Sequence, residues 1–249
     1  MKNEMALKTV YWASVSGGKD SLYMLKVILE NPDRYPLHGI VHFELEIDFP
    51  FIKDVIAEMK RMVEPLHIPF LTYKPRKSFY DLYDLYGFPT RLSRWCNKYK
   101  LDCAKQHKDY LLTRGEKIVY YIGFCADEVK RFKDDCNIYP LADMGIVEST
   151  ILEWAKDVPI FNDYYKYNTR CGCYMCPMAS IANDKYLYQF YPDLFWQKMR
   201  MAKKTENERS EMYGRKLSVW RGNPKYDTEY RVRRILELVE AENDIQHNY

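Results

Sequence analysis

An apolar run that halts at two glycines and resumes with helical spacing leaves this chain few folds to choose from. Val10-Tyr11-Trp12-Ala13-Ser14-Val15 reads as a buried strand, and Ser16-Gly17-Gly18-Lys19-Asp20-Ser21 follows it at once. Beyond the glycines, Leu22, Leu25, Ile28 and Leu29 share one face of a helix that Asn31-Pro32 ends. Strand, glycine turn and helix, in that order, form a cradle where a phosphate rests on backbone N–H groups at a helix N-terminus. The glycines let the backbone come close and take positive φ. Lys19 adds a point charge, Ser16 and Ser21 add hydroxyls, and the helix dipole contributes about 0.3–1 kcal/mol. An ordinary exposed Gly-Gly-Lys-Asp turn would need neither the buried strand before it nor the amphipathic helix after it, so a phosphate-binding loop is expected. It is not the common phosphate loop, which needs glycine, four spacers and Gly-Lys-Ser/Thr. Five positions after Gly17 stands Leu22.

The chain's 249 residues suffice for one sizeable core, or for one core with an appended lobe. A net charge of +3 is too small to demand a nucleic-acid partner by itself. Met1-Lys2-Asn3-Glu4 is polar and acidic, unlike a signal peptide, and no apolar run approaches the ~18 residues of a membrane span. Seven cysteines, an odd count, argue for ligands, reactive thiols or core filler in a reducing, cytoplasmic setting.

Past the first helix, Leu37 to Glu44 forms a second apolar strand, so a right-handed βαβ unit with a parallel pair is expected. Glu44 and Glu46 stand at its C-terminal end, where ligands bind in open α/β sheets, although a solvated strand end explains them as well. A helix over 51–64 and a strand over 68–73 come next, then a helix from Phe79 to Tyr86 capped by Ser78 and stopped by Gly87. Lys98 to Leu112 predicts a longer helix, 118–122 a strand, Asn137 to Leu141 a further short strand, and Glu148 or Ser149 to Lys156 a helix. The pattern predicts a doubly wound, mainly parallel α/β domain over 1–160. Residues 161–249 read as a cysteine-containing helical lobe packed on it, with helices over 183–202 and 228–241. Twelve Lys and Arg against five Asp and Glu between Lys198 and Arg234 give a local charge of +7. That stretch reads first as a solvated face, and second as a track for a nucleic-acid backbone. The 23 tyrosines read mainly as core residues with their hydroxyls at the surface, and secondarily as stacking platforms.

Four segments together carry a resemblance. The Ser16–Ser21 loop resembles the SGGxDS signature of the PP-loop ATP pyrophosphatases. The others are Arg94-Trp95-Cys96 with Lys100, Ile122-Gly123-Phe124-Cys125-Ala126-Asp127-Glu128 with Arg131, and Gly172-Cys173-Tyr174-Met175-Cys176-Pro177. In order and spacing these look like the RWCxxxK, G-x-R-x-(D/E)-E-S-x-R and GCxxCP stretches of the phosphoadenosine phosphosulfate (PAPS) reductase-like family. The resemblance covers about residues 8 to 178. It implies the fold of the adenine nucleotide alpha hydrolase-like (HUP-like) superfamily. The chain departs from the pattern at Gly123-Phe124-Cys125, which lacks the family's arginine, at Asp127-Glu128-Val129, which lacks its serine, and at Cys103, where a proline is usual.

The resemblance implies ATP as substrate, cleaved between the α and β phosphates to adenylylate an acceptor in sulfur transfer or nucleic-acid or nucleotide modification. Assimilatory sulfonucleotide reductases carry a C-terminal Glu-Cys-Gly-His-type thiol, whereas no cysteine follows Cys176 here. Those reductases also tend to have a degenerate loop, and this one keeps the full SGGKDS form. A thiol-dependent reductase is therefore the second reading, and a nucleic-acid-binding accessory protein the third. Candidate nucleotide-binding residues are Ser14, Ser16, Gly17, Gly18, Lys19, Asp20, Ser21, Glu44 and Gly123. Lys19, Asp20, Lys100 and Arg131 are the candidate catalytic set, with Mg²⁺ bridging the phosphates beside Asp20. Cys173-x2-Cys176, with Cys171 and with Cys96 or Cys103 through space, accepts a Zn²⁺ ion or a [4Fe-4S] cluster, or remains free thiols. Cys125 and Cys136 read as core or near-site residues. A sulfur-donor protein is a further expected partner.

Overall fold

The computed structural model describes residues 7–132, 137–220 and 224–247, so Cys136 lies outside the described residues. In chain order come β1 (Lys8–Val15), α1 (Lys19–Glu30), β2 (Gly39–Phe43), α2 (Ile52–Val63) and β3 (Phe70–Tyr73). Next are α3 (Phe79–Tyr86), α4 (Trp95–Thr113), β4 (Glu116–Tyr121), α5 (Pro140–Asp143), α6 (Glu148–Lys156) and α7 (Tyr164–Tyr167). The series continues with α8 (Ile181–Phe190), α9 (Pro192–Tyr213) and α10 (Thr228–His247). The chain divides into two compact units. The first holds the chain up to Leu45, Pro50–Arg76 and Lys100–Cys171; the second holds Glu46–Phe49, Lys77–Tyr99 and the chain from Gly172. No helix among the described residues is long and apolar enough to cross a membrane.

In the first unit four strands lie in the order β3-β2-β1-β4, all parallel, with helices between them: a doubly wound α/β fold. Successive strands step outward from β1 to β3, and β4 then returns to the other side of β1. Strand order thus reverses between β1 and β4, and the carboxyl edge at such a reversal is where open α/β sheets bind ligands. The residues expected to form a strand from Asn137 do not: Ile138 makes a single parallel bridge to Tyr121, and Pro140 opens α5 instead. Proline's fixed φ and missing N–H suit a first helical turn better than a ladder.

Side chains alternate across β1. Val10 and Trp12 pack with Val41 and with Leu111 of α4. The same face buries His107, whose ring meets Trp12 edge-on at 4.6 Å. Its Nδ1 lies 3.0 Å from the Tyr120 hydroxyl, and its Nε2 has no partner. Burial pushes the His107 pKa down to about 4. The unfolded imidazole takes up a proton as pH falls through about 6.5, while the folded one stays neutral until about 4. Stability should therefore drain across that window, by roughly 3 kcal/mol from this residue. His42, buried against the Val15 carbonyl, is shifted in the same direction by burial. Urea unfolding at several pH values should show a shallower acid slope for His107→Phe than for the unaltered chain. Equal slopes would remove His107 as the cause.

The second unit is held by capping and by one buried charge cluster. Ser78 caps α3 by accepting the Tyr80 N–H, and Gly87 ends the helix, both as expected. Glu46 accepts from the Ser78 hydroxyl at 2.8 Å and from the Phe79 N–H at 2.7 Å, so it serves the start of α3. The single helix expected over 183–202 is two helices, because Pro192 cannot donate to a preceding turn and opens α9 instead. Within the basic stretch, Lys198 is fully buried and Arg231 nearly so, and both pair with Asp184. Lys203, Lys204 and Lys216 pair with Glu229, Glu208 and Asp227. Part of the +7 is therefore interior or neutralised locally.

Candidate functional site

The loop after β1 is built by its own glycines and serines. Gly17 has φ +77°, a backbone setting other residues rarely adopt, and a Cβ there would stand 2.7 Å from Cγ2 of Ile52. Ser21 Oγ donates to the Gly18 carbonyl at 2.9 Å and accepts the Ser16 N–H at 3.3 Å, folding the loop onto the first turn of α1. No side chain caps α1 at Gly18. Instead the Lys19 N–H donates to the Tyr165 hydroxyl at 2.9 Å, from the short helix α7. Gly123, just past β4, approaches the same turn: a Cβ on it would lie 2.9 Å from the Asp20 carbonyl oxygen. The loops after β1 and β4 thus meet at the strand-order reversal.

Charge is concentrated there. Lys19 is 1% exposed, and its ammonium sits 2.6 Å from Asp20 and 3.5 Å from Glu148. Arg170 spans Glu128 and Glu148 at 3.3 Å each. Arg131 pairs with Glu128 at 2.6 Å and lies over the Phe124 ring at 4.0 Å. Asp127 accepts the Glu148 N–H at 3.1 Å and so caps α6. Burial raises the Asp20 pKa, Lys19 opposes that, and the nearby Glu148 and Glu128 add to the rise. Burial alone would raise Glu148 too, but Arg170 and Lys19 outweigh it and hold its carboxyl below the usual range. Burial, with Asp20 and Glu128 nearby, pushes the Cys125 thiol up to about 12, so it is a neutral interior group. A buried ammonium held by carboxylates at a helix N-terminus can exchange those partners for phosphate oxygens at small desolvation cost.

The structure brings Ser16, Gly17, Gly18, Lys19, Asp20, Ser21 and Gly123 together, with Arg131 joined through Glu128. Ser14 lies on β1 immediately before the loop. Glu44 is tied to Lys74 at 3.1 Å, and Lys100 stands half-buried on α4. Of the cysteines, Cys171 belongs to the first unit, its Cβ 3.8 Å from where a Gly18 Cβ would be. Cys96, Cys173 and Cys176 belong to the second. In the Cys173–Cys176 turn the Cys176 N–H donates to the Cys173 carbonyl at 3.2 Å and the Met178 N–H to the Cys176 sulfur at 3.4 Å. Among the described residues no group of three or more His, Cys, Asp or Glu side chains is arranged to hold a metal ion unaided. A Mg²⁺ ion shared with phosphates does fit, because it needs only one or two carboxylates, and Asp20 supplies one at the loop. Tyr165, Glu148 and Arg170 were missed from sequence, and Glu128 was read only as part of the Ile122-to-Glu128 segment, without a role. Glu148 carried only a helix-start signal, and Arg170 only the signal of a turn-rich segment.

A family model described as the phosphoadenosine phosphosulfate reductase domain matches residues 10–179. The chain is also similar to an uncharacterized protein of Methanocaldococcus jannaschii, MJ0973, at 29% identity over 202 residues. That match covers 73% of this chain and 45% of the relative, so the chain spans less than half of that protein's length.

Proposed function

From the premise that the chain belongs to the phosphoadenosine phosphosulfate reductase domain family, we propose that it cleaves ATP between the α and β phosphates and adenylylates an acceptor. One observation carries the reading: a buried lysine and a helix N-terminus without a side-chain cap from its own N-cap residue meet in a glycine loop at the reversal of a parallel sheet. The Ser16–Ser21 loop holds the leaving pyrophosphate, and Lys19 offsets the charge that grows on it as the bond breaks. An acceptor oxygen attacks the α-phosphorus, the bridging bond breaks, and pyrophosphate departs with its electron pair while the acceptor's proton passes to solvent. Asp20, once freed from Lys19, would hold Mg²⁺, which when bound would supply further charge neutralisation. Lys100 and Arg131 are the candidates for the α-phosphate or a second anionic group. Ser14, Glu44 and Gly123 border the nucleotide, Gly123 by letting the two loops close.

Sulfur transfer is the proposed setting: a sulfur or nitrogen nucleophile, for example from a sulfur-donor protein, displaces AMP from the adenylylated acceptor. Two cysteines of the first unit border that chemistry: Cys171 beside Gly18, and Cys125, whose buried thiol lies 4.0 Å from Asp20. Product analysis by ³¹P NMR with ATP and Mg²⁺ tests the reaction. AMP with pyrophosphate is expected; ADP with phosphate, or thiol-dependent reduction of a sulfonucleotide without ATP consumption, would overturn it.

A further inference from the structure

Four carboxylates (Asp20, Asp127, Glu128 and Glu148) crowd the loop against three cations, Lys19, Arg131 and Arg170. With one carboxylate in excess, the site repels a triphosphate until a cation changes partners. Arg131 is held tightly, at 2.6 Å by Glu128 and 4.0 Å over Phe124. Arg170 is held loosely: its contacts to Glu128 and Glu148 are 3.3–3.4 Å, at the weak end of hydrogen-bonding range, and its side chain is 64% exposed. Its main chain, by contrast, is fixed beside the loop. The Tyr164 hydroxyl donates to the Arg170 carbonyl at 2.9 Å, while the next residue, Tyr165, accepts the Lys19 N–H at 2.9 Å. Two adjacent tyrosines therefore anchor both the root of Arg170 and the start of α1.

We propose that Arg170 is a second phosphate-binding cation, kept in reserve by Glu128 and Glu148, that turns onto the nucleotide phosphates when ATP enters. This rests on the ATP-binding reading above and adds a residue to it. A guanidinium's planar fork matches phosphate oxygens and gains more from a doubly charged group than from shared carboxylates at 3.3 Å. Glu148 is the counterweight, because it touches both Arg170 and Lys19.

Calorimetry on the full chain with Mg²⁺, using ATP and adenosine as separate probes, tests the assignment. Arg170→Ala should weaken ATP binding by about 10-fold or more, the worth of one charge-assisted bidentate contact, and leave adenosine binding unchanged. Arg170→Lys should recover part of the loss, and Glu148→Gln, which frees both cations, should tighten ATP binding. Unchanged ATP affinity in Arg170→Ala would overturn the assignment while leaving the ATP reading intact. Equal losses for ATP and adenosine would mean a merely structural role, and weaker ATP binding by Glu148→Gln would refute the reserve. No ATP uptake by the unaltered chain would bring down both.

Discussion

If the proposed ATP cleavage is right, Lys19→Ala should lower pyrophosphate release by on the order of 10²–10³-fold, the usual cost of deleting one preorganised group aimed at developing charge. The size follows from where the ammonium sits. It is 1% exposed and surrounded by Asp20 and Glu148, so water cannot replace it when the α–β bond breaks. The fold should survive the truncation. The apolar face of α1 is made by Leu22, Met24, Leu25, Val27 and Ile28, and the Lys19 N–H that meets Tyr165 belongs to the backbone. Circular dichroism should match the unaltered chain while single-turnover release collapses. Unimpaired release from a folded variant would take the loop out of the reaction.

Asp184→Ala should cost about 3–5 kcal/mol, because it leaves charges buried without a counterion. Asp184 lies at the junction of three helices in the second unit. It holds Lys198 at 2.7 Å and Arg231 at 2.5 Å, with all three side chains buried. Arg231 is locked further by donating to the Ala179 and Ser180 carbonyls and by stacking on Trp220 at 4.3 Å. Burial pulls the Lys198 pKa down and Asp184 opposes that, so removing the carboxylate forces the lysine to deprotonate or the helices to part. The melting midpoint should fall by roughly 10 °C for a chain of this size. Adding Lys198→Met to Asp184→Ala should recover part of the loss, since one stranded charge disappears. A midpoint within a degree or two of the unaltered chain would refute the account of this cluster.

Local signals were legible where one short stretch decides its own conformation. The β1–loop–α1 unit, the Ser78 cap and the Gly87 stop all follow from periodicity, capping chemistry and glycine dihedrals. Errors came where two local signals competed. Apolar spacing across 183–202 hid the break that Pro192 imposes, and β-like residues from Asn137 hid the helix that Pro140 opens. Helix α4 begins at Trp95, three residues before the expected Lys98. The glycine and serine frame of the site was readable because it is contiguous. Its charge network was not: Glu148 reaches Lys19 across more than a hundred residues and Arg170 joins through Glu148, and such pairing leaves no period in the sequence. For the same reason Lys198 and Arg231 looked like members of a solvated basic run, although the fold buries both.

The central claim is that the backbone of Gly17–Ser21 grips the phosphate tail of ATP. A ¹⁵N-resolved NMR titration of the full chain with ATP, AMP and pyrophosphate, alongside calorimetry, tests it most directly. The account predicts that ATP and pyrophosphate both shift the Gly17, Gly18, Lys19 and Asp20 amides, with pyrophosphate competing for ATP and AMP moving them least. ATP binding that leaves these amides where they were, or no nucleotide binding at all, would contradict it.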